Sequence, residues 1–294
     1  MLKRNVAFRD LTILVLHHRT PDLLTLCLEK VATAAPGARV LVVDSSPLHE
    51  RPGLAPDTEV LEVPNHSFAH MLNCGLKQVS TTYAAHLNAD VFVQPGTLRR
   101  LLEVVKQTGV GLVGPTVRTP GGAWQAQGLG YRGHYARLAR SPKGWTEVPW
   151  VSGCMQLVRL AAVAEVGGLD PSLRFYNEDM EWCFRLRRSG WACRLVSAEV
   201  VHLGGAATPK DPRFLVEGYR GGYKLSQRYH GRAYRTLHRS AVELQSTWEA
   251  RFSRDPVRRQ AATQINELFQ AGTFDESPFG ETLTDDNPLF PRRF

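Results

Sequence analysis

Three acidic sites stand out by residue type and setting: Asp44 in VLVVDSS, Asp90 in HLNADVF, and Glu178-Asp179 in FYNEDMEW. The first two close apolar runs and the third opens a helical one, so all fall at loop ends, where a hydrophobic core has no use for a carboxylate. Carboxylates so placed suit two tasks. A hard divalent cation takes carboxylate and phosphate oxygens as ligands, and a separate carboxylate can remove a proton from an incoming nucleophile. The chemistry to expect is metal-assisted transfer from a diphosphate.

A plainer account of the third site has to be weighed. In FYNEDMEWCFRLRRSGW, Asn177 is a favoured N-cap and acidic residues in a first turn complement the helix dipole. Arginines suit the last turn, and Gly190 fits a C-terminal stop. Glu181 and Arg185 have the i, i+4 spacing of a helix-surface ion pair. On this account the segment is only a well-made helix, and the rest of the chain decides.

The elements that must position these residues follow in order. LTILVL (11–16) predicts a strand, and Thr20-Pro21 opens an amphipathic helix through about Ala34. ARVLVVDSS (38–46), TEVLEV (58–63) and TYAAHL (82–87) predict three more strands, with a helix between Ser67 and Val79. A helix from Pro95 to Gln107 and a strand at VGLVGPTV follow. VPWVSGCMQLVR (148–159) resumes β character, LAAVAEVG is a short helix, and two strands are expected near ACRLVS and AEVVHLG. Strands alternating with helices at this spacing imply βαβ units and a parallel sheet with helices on both faces. Ligands of such sheets bind beyond the carboxyl ends of the strands, where Asp44 and Asp90 fall. The Gly-, Arg- and aromatic-rich stretch from Arg118 to Glu147 reads as a substrate-side loop. Gly128 and Gly130 within it do not complete a phosphate-loop pattern.

Composition narrows the class. With 294 residues, 43% of them hydrophobic, the chain can bury a sizeable core. No apolar run reaches the roughly 18 residues that span a bilayer, and the N-terminal stretch lacks a small-residue cleavage site. Five scattered cysteines without a C-x-x-C pair argue against a disulfide framework or a zinc ribbon and suit a reducing, cytoplasmic setting. His66 and His70 have metal-pair spacing but no third ligand or adjacent catalytic glutamate. The formal charge of +8 suits an anionic partner. Much of the excess lies between Arg213 and Arg259, among Tyr219, Tyr223, Tyr229 and Tyr234; no nucleic-acid motif accompanies it, so a solvated or lipid-facing helical surface is expected.

The ordered set LTILVLHHRTPDLL, VLVVDSS, NHSFAHMLNCGL, HLNADVFVQPGTL, VPWVSGCMQLVR, VGGLDPSLRFYNEDMEWCFRLRRSGW and VVHLGG resembles the family 2 inverting glycosyltransferases with the GT-A fold, and among them the rhamnosyltransferase-like members. The resemblance covers roughly residues 11–205. It implies an α/β, Rossmann-like, mostly parallel sheet flanked by helices, with residues 1–205 binding a nucleotide sugar and carrying the chemistry. Residues 206–294 would then form a helical C-terminal extension and tail.

The resemblance also assigns roles. Asp44 would meet the nucleotide base, with the loop at His17 beside it, and Asn73, Asn88 and Asp90 would lie at the donor. Asp90 matches the metal-binding aspartate of the Asp-x-Asp motif, whose first position is Asn88 here, so one carboxylate reaches a Mg2+ or Mn2+ ion. His202 would add a ligand or touch the diphosphate. Asp179 matches the general base, kept ionised by its helix N-terminus, with Glu178 in support. Trp150, Ser152 and Gly153 would form part of the acceptor pocket; Trp150 could stack on a sugar or lie in the core.

The implied activity is inverting transfer of one sugar, with rhamnose a candidate, from a nucleotide-diphosphate donor to a hydroxyl acceptor in polysaccharide or glycolipid assembly. The Gln-x-x-Arg-Trp pattern of chain-extending relatives is missing, which favours single additions. The acceptor would be a saccharide or lipid-linked saccharide, met at the inner face of an anionic membrane, with no role for nucleic acid. A nucleotidyltransferase with a similar sheet and a non-catalytic nucleotide-sugar-binding relative are the competing readings.

Overall fold

LTILVLH is apolar at successive positions, so a strand made of it has to be covered on both faces. That is its place in the computed structural model, which describes residues 8–47, 54–125, 127, 143–205 and 210–280. Strand β1 (Leu11–His17) sends Leu11, Ile13 and Val15 into one apolar layer and Leu14 and Leu16 into another. Helix α1 (Pro21–Ala34), opened by Pro21, contributes Leu24, Cys27 and Val31 to the first layer. Beyond β2 (Arg39–Asp44) and β3 (Glu59–Glu62), helix α2 (Phe68–Lys77) is capped by the Ser67 hydroxyl, which accepts from the His70 amide, and joins the second layer. Then come β4 (Tyr83–Asn88), β5 (Val91–Val93), α3 (Thr97–Val105), β6 (Val110–Arg118), β7 (Trp145–Glu147), β8 (Met155–Arg159), α4 (Leu160–Val166), α5 (Glu178–Arg188) and β9 (Ala192–His202). Three helices follow: α6 (Pro212–Tyr229), α7 (Arg232–Phe252) and α8 (Pro256–Ala271).

The nine strands form one sheet in the order β3-β2-β1-β4-β8-β6-β9-β5, with β7 on β9. The expected parallel ladder runs through β3, β2, β1 and β4 and recurs between β6 and β9. Against it, β8 lies antiparallel to both neighbours, and β5 and β7 lie antiparallel to β9. For β5 the cause is connectivity: a parallel return needs a crossover, whereas β5 follows β4 after a turn. The two strands expected near ACRLVS and AEVVHLG are one. A register shift against β6, between Pro115 and Thr116, lets β9 continue past its first ladder into its second.

Helices α6–α8 share a third apolar cluster built on Val216, Tyr223, Val242, Ile265 and Phe269. The N-terminal half of α6 also packs on the sheet domain. Gly218 and Gly221 face the turn before α5 so closely that a Cβ at 221 would lie 2.9 Å from Asn177 Nδ2. Among the described residues no helix is long and apolar enough to cross a membrane.

Candidate active site

Strand order puts β1 between β2 and β4, so the chain reverses direction of growth at β1, and the carboxyl ends there form the crevice expected of such sheets. Register carries Asp44 and Asn88 to the same rim: His17 pairs with Asp44, and Leu16 pairs with both Val43 and Asn88. Two strand spacings separate them, about 10 Å.

The Asp44 end is saturated with hydrogen bonds. The Thr20 amide donates to His17 Nε2 (3.1 Å), which leaves Nδ1 to donate to Asp44 Oδ1 (2.9 Å). The Ser46 amide donates to the same oxygen (2.9 Å). Burial pushes the Asp44 carboxyl up, but these bonds outweigh it and the pKa is lowered overall. His17, buried and bonded at both nitrogens, is thus the part that orients Asp44. Beside them opens a groove of about 440 Å³ lined by Ser45, Ser46, Pro47, Glu62, Val63, Pro64 and Asn65. Asn65 Nδ2 lies 3.4 Å from His18 Nε2.

Asp90 sits in the turn after β4. Pairing of Val91 with His202 brings the imidazole to it, with Nε2 3.4 Å from Asp90 Oδ1. Gln125 clamps His202 from the other side: its Oε1 accepts from Nδ1 (2.9 Å) and its Nε2 donates to the His202 carbonyl (3.2 Å). Burial disfavours the imidazolium, yet hydrogen bonds to Asp90 and Cys154 raise the His202 pKa to about 10. Without a cation the Nε2 proton lies between the two side chains; a divalent ion such as Mn2+ or Mg2+ would displace that proton and take the carboxylate oxygen and the imidazole nitrogen, whose far nitrogen Gln125 already fixes. Among the described residues no third His, Cys, Asp or Glu joins them, so the remaining ligands would come from a diphosphate and water.

Asp179 opens α5. The Asn88 amide donates to the Cys154 carbonyl, and one residue earlier the Gly153 amide donates to Asp179 Oδ2 (2.7 Å), so segment 152–154 links the two carboxylate sites. Asp179 Oδ1 accepts from the Met180 amide (2.7 Å). Gly153 is needed for this approach, since a Cβ there would stand 3.0 Å from the Asp179 Cβ. Asp179 is partly open to solvent while Glu178 is buried. Burial raises the Asp179 pKa despite its backbone bonds, so the helix N-terminus does not keep it at the low value expected from the sequence. Glu178 is raised further, by burial and then by Asp179, and its Oε2 has no hydrogen-bond partner.

Asn177 does not cap α5 with its side chain. Tyr176 and Asn177 both adopt left-handed backbone (φ 68° and 69°), at a cost of roughly 1–2 kcal/mol each. The Asn177 amide donates instead to the Gly218 carbonyl of α6 (2.9 Å). The same face of α6 supplies Glu217, which accepts from the Arg174 amide, from Arg220 and from Ser277.

Other expected residues fall differently. Asn73 is a strut between α2 and the turn before α5: its amide donates to the Leu169 carbonyl and accepts from the Leu169 amide, so contact with a donor is not what it does here. Trp150 is 8% exposed and lies in the second apolar layer, the core alternative that its type left open. Glu181 does pair with Arg185 (2.8 Å), but inside the protein rather than on a helix surface; Arg185 also donates to the carbonyls of Val166 and Gly168, and Glu181 accepts from the Tyr229 hydroxyl. Ser152 lies beside Gly153, its amide donating to Gln127 Oε1. Gln125 and Gln127 escaped the sequence reading, because a lone glutamine in a Gly-rich loop carries no signal of its partner. Gly128, Gly130 and most of the expected substrate-side loop lie outside the described residues.

Parallel strands carrying carboxylates at their switch point, closed by an antiparallel strand and a helix that opens on a Glu-Asp pair, define a GT-A fold. Two solved structures share it. One is GalNAc-T7 with UDP, GalNAc and Mn2+ (TM-score 0.62, 13% identity, 96% of this chain and 60% of that one). The other is the mannosyltransferase PcManGT of Pyrobaculum calidifontis with GDP-Man and Mn2+ (TM-score 0.54, 18% identity, 90% and 83%). The chain belongs to the glycosyltransferase like family 2, whose model matches residues 54–220. Among curated relatives it is 34% identical over 149 residues to the N-acetylglucosaminyl-diphospho-decaprenol L-rhamnosyltransferase of Mycobacterium tuberculosis, covering 42% of this chain and 48% of that protein. It is 29% identical over 178 residues to the pre-mycofactocin glycosyltransferase of the same species, covering 55% and 37%. The chain thus spans about half the length, or less, of the curated relatives it matches.

Proposed function

We propose that this protein moves a single sugar from a nucleotide-diphosphate donor to a hydroxyl acceptor with inversion at the anomeric carbon. The acceptor oxygen bonds to that carbon as its proton passes to Asp179, and the bond to the diphosphate breaks, releasing a nucleoside diphosphate. Residues up to about 205 hold donor and chemistry, and the helical extension that follows supports them through α6. One observation carries the proposal: Asp179, partly open and held at both oxygens by amides, is bound by Gly153, two residues before Met155, whose strand pairs with β4, the strand that leads into Asp90.

Burial that raises the Asp179 pKa suits a base that must take a proton in the transition state. Asp44, oriented by His17, takes the nucleotide end, and Asn88 and Asp90 the diphosphate end. A Mg2+ or Mn2+ ion held by Asp90 and His202 would offset charge on the leaving diphosphate. Ser152 and Gly153 border the acceptor side. The named decaprenol-linked substrate of the first relative supports a lipid-linked saccharide acceptor and a cytoplasmic, membrane-peripheral setting, with rhamnose as the first sugar to try.

Incubation with a panel of nucleotide sugars and divalent cations tests this. The expected outcome is nucleoside diphosphate release with a configuration opposite to that of the donor, preceded by donor-dependent thermal stabilisation. Release of inorganic diphosphate from a nucleoside triphosphate would instead identify a nucleotidyltransferase, and stabilisation without turnover a binding protein.

A further inference from the structure

The basic C-terminal helices do not present the surface their sequence suggests. Tyr223 packs inward on Phe269 and Phe274, and the Tyr229 hydroxyl is spent on Glu181. What α7 exposes is aliphatic and indole: Leu237 is 71% exposed, Leu244 75%, Trp248 60% and Phe252 58%. At 100° per residue these four fall within about 80° of the helix circumference. The opposite face of α7 buries His238, Val242 and Ser246, so the helix already has its packing partners and carries a second apolar stripe beyond them.

The stripe is not uniform along its length. Trp248 and Phe252 stand together at its C-terminal end, with ring centroids 5.9 Å apart, and the Arg251 guanidinium lies 5.5 Å from the Phe252 ring. Arg254, Arg258 and Arg259 follow at once and are exposed like Arg251. The acid among them, Asp255, is engaged at the start of α8, accepting from the Val257 and Arg258 amides. Residues 232–259 carry seven arginines against three acids, a net +4 that is half of the chain's formal charge.

We infer that the exposed stripe of α7 and the arginines at its C-terminal end dock this protein on an anionic lipid bilayer. Leucines enter the acyl boundary, Trp248 and Phe252 sit at headgroup depth, and the guanidiniums meet lipid phosphates. A second copy of the chain fits less well. A helix-pairing seam with 3.5-residue spacing through Leu237, Leu244 and Trp248 continues into Arg251, and it falls short of the about three to four heptads that sustain a coiled coil. The inference deepens the lipid-linked acceptor reading and rests on it only for the reason the enzyme should meet a bilayer.

Cosedimentation of the full chain with phosphatidylglycerol–phosphatidylcholine vesicles, compared with phosphatidylcholine vesicles, tests it. Partitioning to the anionic vesicles is expected to be at least about tenfold stronger and to weaken in about 0.5 M salt. Trp248→Glu/Phe252→Glu and, separately, Arg251→Gln/Arg254→Gln should each reduce it by about tenfold or more, with melting temperature and turnover on a water-soluble acceptor unchanged. Equal binding to both vesicle types, or equal binding by the variants, overturns the inference. So does a wild-type dimer that Trp248→Glu/Phe252→Glu converts to monomer, which would assign the stripe to self-association. Turnover without vesicle binding breaks the docking alone, whereas vesicle binding without donor turnover breaks the transfer reading and leaves the docking standing.

Discussion

The two ends of the rim are built on opposite terms. Around Asp44, hydrogen bonds win over burial: His17 and the Ser46 amide donate to it, and its pKa is lowered. Around Asp179, burial wins over the backbone bonds, the neighbouring Glu178 carboxyl has a partnerless oxygen, and the preceding two residues are left-handed. The first arrangement is stable and suits recognition. The second holds groups in states that cost free energy, which is the condition of a base that must change protonation during turnover. The sheet supplies the first for little, whereas the second needs α6 pressed against the turn from outside.

The comparison can be broken at several points. Asp90→Ala should cost about a hundredfold or more in turnover and abolish metal-dependent thermal stabilisation by donor, read by melting with and without Mn2+. Gly153→Ala drives a methyl against the Asp179 carboxylate. It should lower kcat about tenfold to a hundredfold while donor KM stays near that of the parent, separating the two ends by kinetics.

His17→Ala tests the stable end. Loss of the donor to buried Asp44 should cost about 2 kcal/mol in denaturant melts. Because the folded Asp44 pKa is lowered, its contribution is present above the unfolded value of about 3.9 and fades as pH falls through the folded value. The gap between parent and variant should therefore narrow in acid. Glu178→Gln tests the costly end with the opposite sign. A carboxyl whose folded pKa is raised loses stability as pH climbs from the unfolded value of about 4.3 towards the folded one. The variant should thus be about 1 kcal/mol or more stabler than the parent at neutral pH, with the advantage vanishing near pH 4. The acid limb of kcat/KM should likewise lie above the ordinary aspartate value, since Asp179 is raised.

The strands that carry Asp44 and Asp90 were legible because apolar runs buried on two faces need no tertiary knowledge to recognise, and the carboxylates mark where they end. The antiparallel β8 was not, since VPWVSGCMQLVR says it is β-rich and nothing about its direction. At Glu178 and Asp179, residue types were legible and their electrostatics were not. A helix N-terminus predicts an ionised aspartate, but burial by α6 and the second apolar layer is a property of partners far along the chain. Asn177 illustrates the same limit: an asparagine before Glu-Asp reads as a cap, and only Gly218 of α6 explains why it is turned elsewhere. Asn73 and Gln125 form a matching pair, one expected at the donor and found bracing backbone, the other unexpected and found fixing His202.

The central claim is that donor recognition and proton removal are divided between the two ends of this rim, and Asp179→Asn examines it most directly. Measured side by side, the variant should keep the parent's donor- and metal-dependent thermal shift while its turnover falls by about 10²-fold or more. Turnover at the parent's level, or loss of the donor-dependent shift together with activity, would contradict the division.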